Sequence, residues 1–375
     1  MICKKEDCYA CYTCFNICKQ NAIEMAEDAQ GYIYPEIKKE KCVSCNLCKK
    51  RCPALKLGKE LKEPISCYAA FSKDERIHKT SASGGVAFEF SKEVLKNNGI
   101  IYAVNSYLDE NNDVSFFRVE NETELSKTQG SKYVQAYVKK IHKNIREDLE
   151  NNKTVLFIGT PCQVAGVNNF LGKNYSNLIY VDLVCHGVPN QKMLKEEIKR
   201  EFNYVKFRGK DGFTLIAKKN NKLILKKNQY ESEYFYAFLK GINYRESCYN
   251  CKFAQKKRIG DITLGDFWGY TEEKGKDGIS LMLINTQKGY EFVEKLNNLE
   301  ILKANLSDAI KFNTQLSEPT RKTKEAKIFK EEYRPGNLKK AIHKAIGTRK
   351  IIYVKIKGKI KVIRDKVIKL WNWLL

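Results

Sequence analysis

No run of about 18 apolar residues occurs anywhere in the 375-residue chain, so no segment reads as a membrane-spanning helix. The first residues, MICKKEDC, lack the apolar stretch of a secretory leader. With no leader, 14 cysteines point to a reducing compartment, where thiols serve as ligands, and the expected location is the cytoplasm. No G-x-G-x-x-G follows a strand-like segment, which removes the dinucleotide fingerprint for NAD. Acidic residues are scarce beside basic ones, 44 against 68, for a net charge of +24. The excess is uneven: residues 321–375 hold 18 Lys/Arg and 4 Asp/Glu, so the tail sets the charge and the body is only mildly basic. The body shows no basic face interleaved with aromatics, so nucleic acid is not the expected partner.

What is present is cysteine in a fixed rhythm. Cys8, Cys11, Cys14 and Cys18 form one C-x2-C-x2-C-x3-C run, and Cys42, Cys45, Cys48 and Cys52, followed by Pro53, form a second. This is the spacing of bacterial ferredoxins, with three thiolates in a tight loop on one cube and the fourth on the neighbouring cube. Two [4Fe–4S] clusters are therefore expected. Cys8, Cys11, Cys14 and Cys52 should hold one, and Cys42, Cys45, Cys48 and Cys18 the other. A C-x2-C-x2-C triple suits a cube better than the tetrahedron of zinc. Lys19 stands where the first run often has proline.

The expected architecture is an α+β ferredoxin-like dicluster domain followed by an α/β domain with a mixed sheet. Residues 1–58 make the first, with short strands at Ala22–Met25 and Tyr32–Tyr34, and Leu57–Pro64 reads as a linker. Residues 65–320 alternate strands and helices. Strands are expected at Ile65–Phe71, Gly99–Asn105, Thr154–Gly159 and Leu178–Cys185. Helices are expected at Gly85–Asn97, Tyr137–Glu150, Gln163–Leu171 and Gln191–Phe202. Phe213–Lys227 reads as a hairpin turning at Asn220-Asn221.

Two more cysteines sit at expected strand ends, Cys162 in Gly159-Thr160-Pro161-Cys162-Gln163 and Cys185 in Cys185-His186-Gly187. Open α/β sheets bind ligands beyond the carboxyl ends of their strands, so both thiols should face one crevice. Cys248 and Cys251 add a C-x2-C pair. Four thiols allow a third [4Fe–4S] cluster, a structural zinc, or no site at all. Cys3 and Cys67 fall outside every set and read as plain thiols. His186 reads equally as a proton donor or a turn residue, and Asp261 and Asp266 as structural hydrogen-bonders.

Taken with the segment Gly260-Asp261-Ile262-Thr263-Leu264-Gly265-Asp266-Phe267-Trp268-Gly269, these motifs resemble one family over roughly residues 1–320. It is the beta-subunit family of coenzyme F420-reducing hydrogenase and formate dehydrogenase, which also includes 7-hydroxymethyl chlorophyll a reductase and deazaflavin-dependent sulfite reductases. The resemblance implies an iron–sulfur flavoprotein, with FAD beside a third cluster on Cys162, Cys185, Cys248 and Cys251. Ser83, Gly84 and Gly85 open a helix where backbone N–H groups can meet an anion, although a plain helix cap needs no ligand. The resemblance turns these three residues into flavin-site candidates. Lys132, in Gln129-Gly130-Ser131-Lys132-Tyr133, would place positive charge near the reduced flavin or be a solvated lysine.

The expected function is electron transfer between clusters and FAD, to reduce or oxidise a small organic substrate or an F420-like deazaflavin. The alternative is an electron-transfer subunit of a larger complex without its own substrate. Either implies a redox partner, a ferredoxin or another subunit. The basic amphipathic tail, 321–375, adds an expectation. Leu338, Ala341, Ile342, Ala345 and Ile346 form a helical stripe closed by Gly347. Ile352, Ile356, Ile360, Ile363, Val367, Leu370 and Leu374 continue at spacings of three and four, ending beside Trp371 and Trp373. Such a tail suits peripheral association with an anionic membrane surface, or packing on its own body.

Overall fold

The computed structural model describes residues 2–209, 212–270 and 278–374, the side chains of 361, 362 and 365–374 excepted. Val367, Leu370, Trp371, Trp373 and Leu374 of the expected tail stripe therefore have side chains outside the described residues. Between the two cysteine runs, β1 (Ile23–Glu27) and β2 (Ile33–Ile37) pair antiparallel, with Ile23 opposite Ile37. Short helices at Thr13–Ile17 and Leu47–Lys50 end the two cysteine loops.

The body is built on an eight-stranded sheet. Its strands are β3 (Ser66–Ser72), β4 (Ile100–Val104), β5 (Phe116–Val119), β6 (Val155–Gly159), β7 (Leu178–Leu183), β11 (Ile262–Asp266), β12 (Ser280–Ile284) and β13 (Leu299–Lys303). A separate three-stranded sheet holds β8 (Tyr204–Gly209), β9 (Gly212–Lys219) and β10 (Lys222–Asn228). The large sheet runs in the order β13-β3-β12-β11-β7-β6-β4-β5. Its centre, β11-β7-β6-β4, is parallel, and β12, β13 and β5 pair antiparallel with their neighbours. β3 and β11 both oppose β12, so five strands end at the same edge.

The parallel strands are apolar on both sides because helices cover both faces. Tyr102, Val155, Phe157, Leu178 and Tyr180 enter one core; Ile101, Ala103, Leu156, Ile179 and Val181 enter the other. The first core holds helices Ile141–Glu150 and Pro161–Leu171 and continues into the cysteine-rich N-terminus. The second holds helix Val86–Lys96.

Several boundaries differ from expectation for local reasons. The helix expected from Tyr137 starts at Ile141, because Tyr137 exchanges backbone bonds with Val114 and Phe116. The helix expected to reach Phe202 stops at Ile198, where Lys199 turns to φ +59°. Asn220 and Asn221 do make the turn between β9 and β10, both at positive φ, the pattern of a type I′ turn. The stretch 57–64 is no free linker. Asn169 accepts the Gly58 N–H at 2.7 Å and donates to Lys56 O at 2.7 Å, and the backbones of Lys62 and Arg258 pair.

The largest difference is in the tail. It forms helices Lys324–Glu332, Leu338–Ile346 and Thr348–Leu374. Phe329, Tyr333, Leu338, Ala341, Ile342 and Ala345 are buried in the first core. Glu196 accepts from the Tyr333 hydroxyl at 2.7 Å and from the Leu338 N–H at 2.9 Å. The stripe up to Gly347 is thus spent within the chain and is closed to lipid, and residues 321–346 belong to the body.

Phe329→Ala should therefore cost about 3–5 kcal/mol of stability. Ile356→Ala, at a residue 54% exposed, should stay within about 0.5 kcal/mol. Denaturant unfolding of the two variants checks this; equal effects would contradict the packing of the tail.

Candidate metal centres and cofactor crevice

Both cysteine runs close by the same backbone device. Ala10 and Tyr12 flank Cys11 at φ +49° and +63°, and Ser44 and Asn46 flank Cys45 at +54° and +58°. Non-glycine residues in that region are uncommon, and four at matching positions mark loops shaped around something. Cys8, Cys11, Cys14 and Cys52 line one pocket with Tyr9 and Pro53. Cys3, read above as a plain thiol, lines the same pocket as a fifth thiol. Its thiol beside Cys8 and Cys52 favours the ionised form of both, and the Arg245 charge also lowers Cys8.

The second run is at the surface. Cys42 and Cys45 are exposed, and Cys48 and Cys18 are half-buried. Burial raises Cys48, and the Cys45 and Cys18 thiols add to the rise. Cys18 thus lies near Cys48 of the second run, and Cys52 lies with the first run.

In the body, Cys162 follows β6 and Cys185 follows β7, and the loop with Cys248 and Cys251 folds over them. Burial lifts Cys185 to about 12 and Cys248 to about 11, with the other thiols of the set contributing. Among the described residues, no three His, Cys, Asp or Glu side chains close around a single ion position. Four thiolates on one zinc would lie about 3.8 Å apart, given Zn–S bonds of about 2.3 Å. Each thiolate on a cube binds its own iron, so a cluster does not require the thiols to close around one ion.

Two buried arginines clamp this loop, and sequence reasoning missed both. Arg258 donates to Asp182 Oδ1 at 2.7 and 3.2 Å, and Asp182 Oδ2 accepts the Gly260 N–H at 2.8 Å. Arg245 donates Nε to Cys8 O at 2.6 Å, a second nitrogen to Ile33 O at 2.8 Å and the third to Gln135 Oε1 at 3.2 Å. The Ser247 hydroxyl donates to the same Cys8 carbonyl at 3.0 Å. The first cysteine run is therefore bound directly to the loop that carries Cys248. Thr13 extends the contact, donating to Gly166 O at 2.9 Å, and a Cβ at Gly166 would lie 2.9 Å from that of Cys11. Only a chain already known to fold this way distinguishes these arginines among 68 basic residues.

The flavin candidates lie at the same sheet edge, past β3. Ser83 donates to Ile279 O at 2.7 Å, and Ser280 Oγ accepts the Gly84 N–H at 3.0 Å. A Cβ on Gly84 would collide with the Ala70 carbonyl, and Gly85 caps its helix at φ +82°. Lys132 Nζ donates to the carbonyls of Thr128, Gln129 and Gly130. Each of the four thus has a partner or a packing reason inside the chain. Their surroundings are nonetheless electropositive. Arg208 reaches the Ala82 carbonyl and pairs with Asp266 at 2.9 Å, its guanidinium over the Phe213 ring. Burial and the neighbouring Lys206 pull Lys132 down to about 7. Among the described residues, no carboxylate is within ion-pair distance of Lys132 or Lys206. Three basic side chains, Lys132, Lys206 and Arg208, thus gather beside the Ser83–Gly85 turn.

The remaining candidates are quieter. Asp261 accepts from the Tyr180 N–H and the Thr286 hydroxyl and pairs with Lys288, a structural role, as expected. His186 is exposed, its carbonyl taken by Thr320. Cys67 is buried, apart from the cysteine sets.

Two family models describe the beta subunit of coenzyme F420 hydrogenase/dehydrogenase; the one for its C-terminal part matches residues 152–308, and the one for its N-terminal part matches 67–142. A 4Fe-4S dicluster domain model matches residues 7–55. No curated protein matches the chain. A chain in the xenon-derivatised F420-reducing [NiFe] hydrogenase complex from Methanosarcina barkeri is similar at 17% identity and a TM-score of 0.44. That similarity covers 68% of the present chain and 91% of the other.

Lys132 yields a pH test. Its folded pKa of about 7 lies below the unfolded value of about 10.4, so between these limits the unfolded chain binds more protons. Its cost to stability is fully present below pH 7 and is relieved as the pH rises. Wild type should gain stability relative to Lys132→Met from about pH 7 toward pH 10, by up to about 1.4 kcal/mol per unit. Parallel stability curves would contradict the buried charge.

Proposed function

The chain belongs to the coenzyme F420 hydrogenase/dehydrogenase beta-subunit family, and from that premise we propose an FAD-dependent iron–sulfur oxidoreductase with three [4Fe–4S] clusters. Residues 7–55 are its 4Fe-4S dicluster domain. We assign one cluster to Cys18, Cys42, Cys45 and Cys48, one to Cys8, Cys11, Cys14 and Cys52, and the third to Cys162, Cys185, Cys248 and Cys251. Such clusters carry single electrons, and a flavin couples them to two-electron chemistry.

The observation that carries this reading is the graded order of the three thiol sets. The exposed set suits exchange with a redox partner protein, and Val43, 63% exposed, gives that loop an apolar contact. The buried set lies behind it, tied through Arg245 to the body set. Tyr9 continues the link, its ring 5.4 Å from that of Phe253, two residues past Cys251. From the body set, Tyr244, Phe238 and Tyr133 lead in ring contacts to the Lys132 crevice, with centroids 5.4 and 4.7 Å apart. There Lys132, Lys206 and Arg208 would hold the diphosphate of FAD or an anionic substrate, a small organic molecule or an F420-like deazaflavin. The exposed second set equally suits an electron-transfer subunit of a larger complex, and a substrate turned over by the isolated chain separates the two readings.

Anaerobic purification should yield about twelve irons and one FAD per chain. Cys248→Ser/Cys251→Ser should lower iron by about four and leave the dicluster domain loaded. Iron near eight in both proteins would exclude the third cluster. Cluster-replete protein that stays flavin-free after incubation with FAD would exclude the flavin.

A further inference from the structure

Helix Thr348–Leu374 divides into two faces that the sequence alone does not assign. One face is seated on the body. Ile351 is buried in the first core, and Ile351, Val354 and Lys355 line a small cavity with Tyr230, Tyr236 and Ile342. Lys355 pairs with Glu233 at 2.5 Å, and Gly358 runs so close to Tyr230 that a Cβ there would collide with the tyrosine side chain. These contacts fix the rotation of the helix. They turn Ile352, Ile356, Ile360 and Ile363 away from the protein, at 50, 54, 61 and 62% exposure, with Tyr353 at 62%.

At about 100° per residue the four isoleucines fall within one narrow sector, spanning about 16 Å along the axis. Exposed Lys357 and Lys359 border it on opposite sides. The helix carries nine Lys/Arg and one acidic residue, Asp365. An apolar strip with lysines along both margins is what a helix lying in a lipid interface presents, the isoleucines among acyl chains and the ammonium groups at headgroup level. No helix of the described residues is long and apolar enough to cross a membrane, so the geometry is one of lying on the surface.

We propose that the solvent face of this helix docks the protein flat on an anionic phospholipid surface, through Ile352, Ile356, Ile360 and Ile363 with Lys357 and Lys359 as margins. The charge is one-sided, which selects an anionic surface over a neutral one. The body-facing contacts hold the strip outward before any lipid is met, so docking needs no unfolding of the preceding helices. The inference stands apart from the redox reading.

The test is flotation of the anaerobically purified full chain with phosphatidylglycerol/phosphatidylcholine vesicles and with phosphatidylcholine alone. Three variants accompany it: Ile356→Asp/Ile360→Asp, Lys357→Gln/Lys359→Gln, and a chain ending at Gly347. Iron content and cooperative unfolding confirm that each is folded. Wild type should float with anionic vesicles at low salt, and the lysine variant should bind roughly thirtyfold less, about fivefold per charge. The isoleucine variant and the shortened chain should not float. Failure of wild type to float with anionic vesicles, or undiminished flotation of the isoleucine variant, would overturn the proposal. A wild-type dimer that the isoleucine variant makes monomeric, with no flotation, would assign the strip to a second copy instead.

Discussion

A guanidinium with no carboxylate partner among the described residues lies at the centre of this protein. Arg245 is buried between the first cysteine run and the loop of Cys248, its nitrogens on two carbonyls and a glutamine side chain. Tyr34 faces it with the guanidinium 4.2 Å from the ring centroid. Burying such a charge is costly unless negative charge lies nearby. Arg245 favours the ionised form of the Cys8 and Cys248 thiols, although burial still holds Cys248 up. Ligand thiolates, or the anionic cluster they would hold, thus offset the arginine, and the arginine holds the two thiol sets together. The N-terminal cysteine domain is accordingly not a bead on a linker. It shares one core with the α/β body, and residues 56–62 are pinned to that body along the way.

The second constraint is the polarity of the sheet. Five strands end at one edge, so Cys162, Cys185, the Ser83–Gly85 turn and the Asp266–Trp268 segment all meet there. Arg258 and Asp182 lock the Cys248–Cys251 loop onto β7 at that edge. Such a pair contributes more by fixing one arrangement than by net stability. Beside it, Lys132 and Lys206 have no carboxylate within ion-pair distance among the described residues, and burial lowers the pKa of both.

Much of this was legible because some signals are local. Cysteine spacing dictates loop shape, and matching positive φ values at Ala10, Tyr12, Ser44 and Asn46 follow from it. β6 and β7 are continuous apolar runs, since both faces are covered, and Asn220-Asn221 specifies its own turn. The losses are tertiary. Arg245 and Arg258 look like any other basic residues until the fold places them against thiols and Asp182. Cys3 lies outside the ferredoxin spacing and joins the first set only because the N-terminus folds back over it. The apolar stripe at Ala341 and Ile342 was readable as a stripe, but its partner was not: lipid and core demand the same residues. Ser83, Gly84, Gly85 and Lys132 stand out only by resemblance, and their bonds and packing lie within the chain, so the flavin reading rests on the basic residues around them.

If the body thiol set and the first N-terminal set are neighbours joined through Arg245, clusters held by them interact magnetically. Electron paramagnetic resonance of the fully reduced, anaerobically prepared chain tests it most directly. The spectrum should be broadened by interaction among three reduced clusters and simplify to that of an interacting pair in Cys248→Ser/Cys251→Ser. A spectrum that the double substitution leaves unchanged, or a third cluster signal magnetically isolated from the other two, would contradict it.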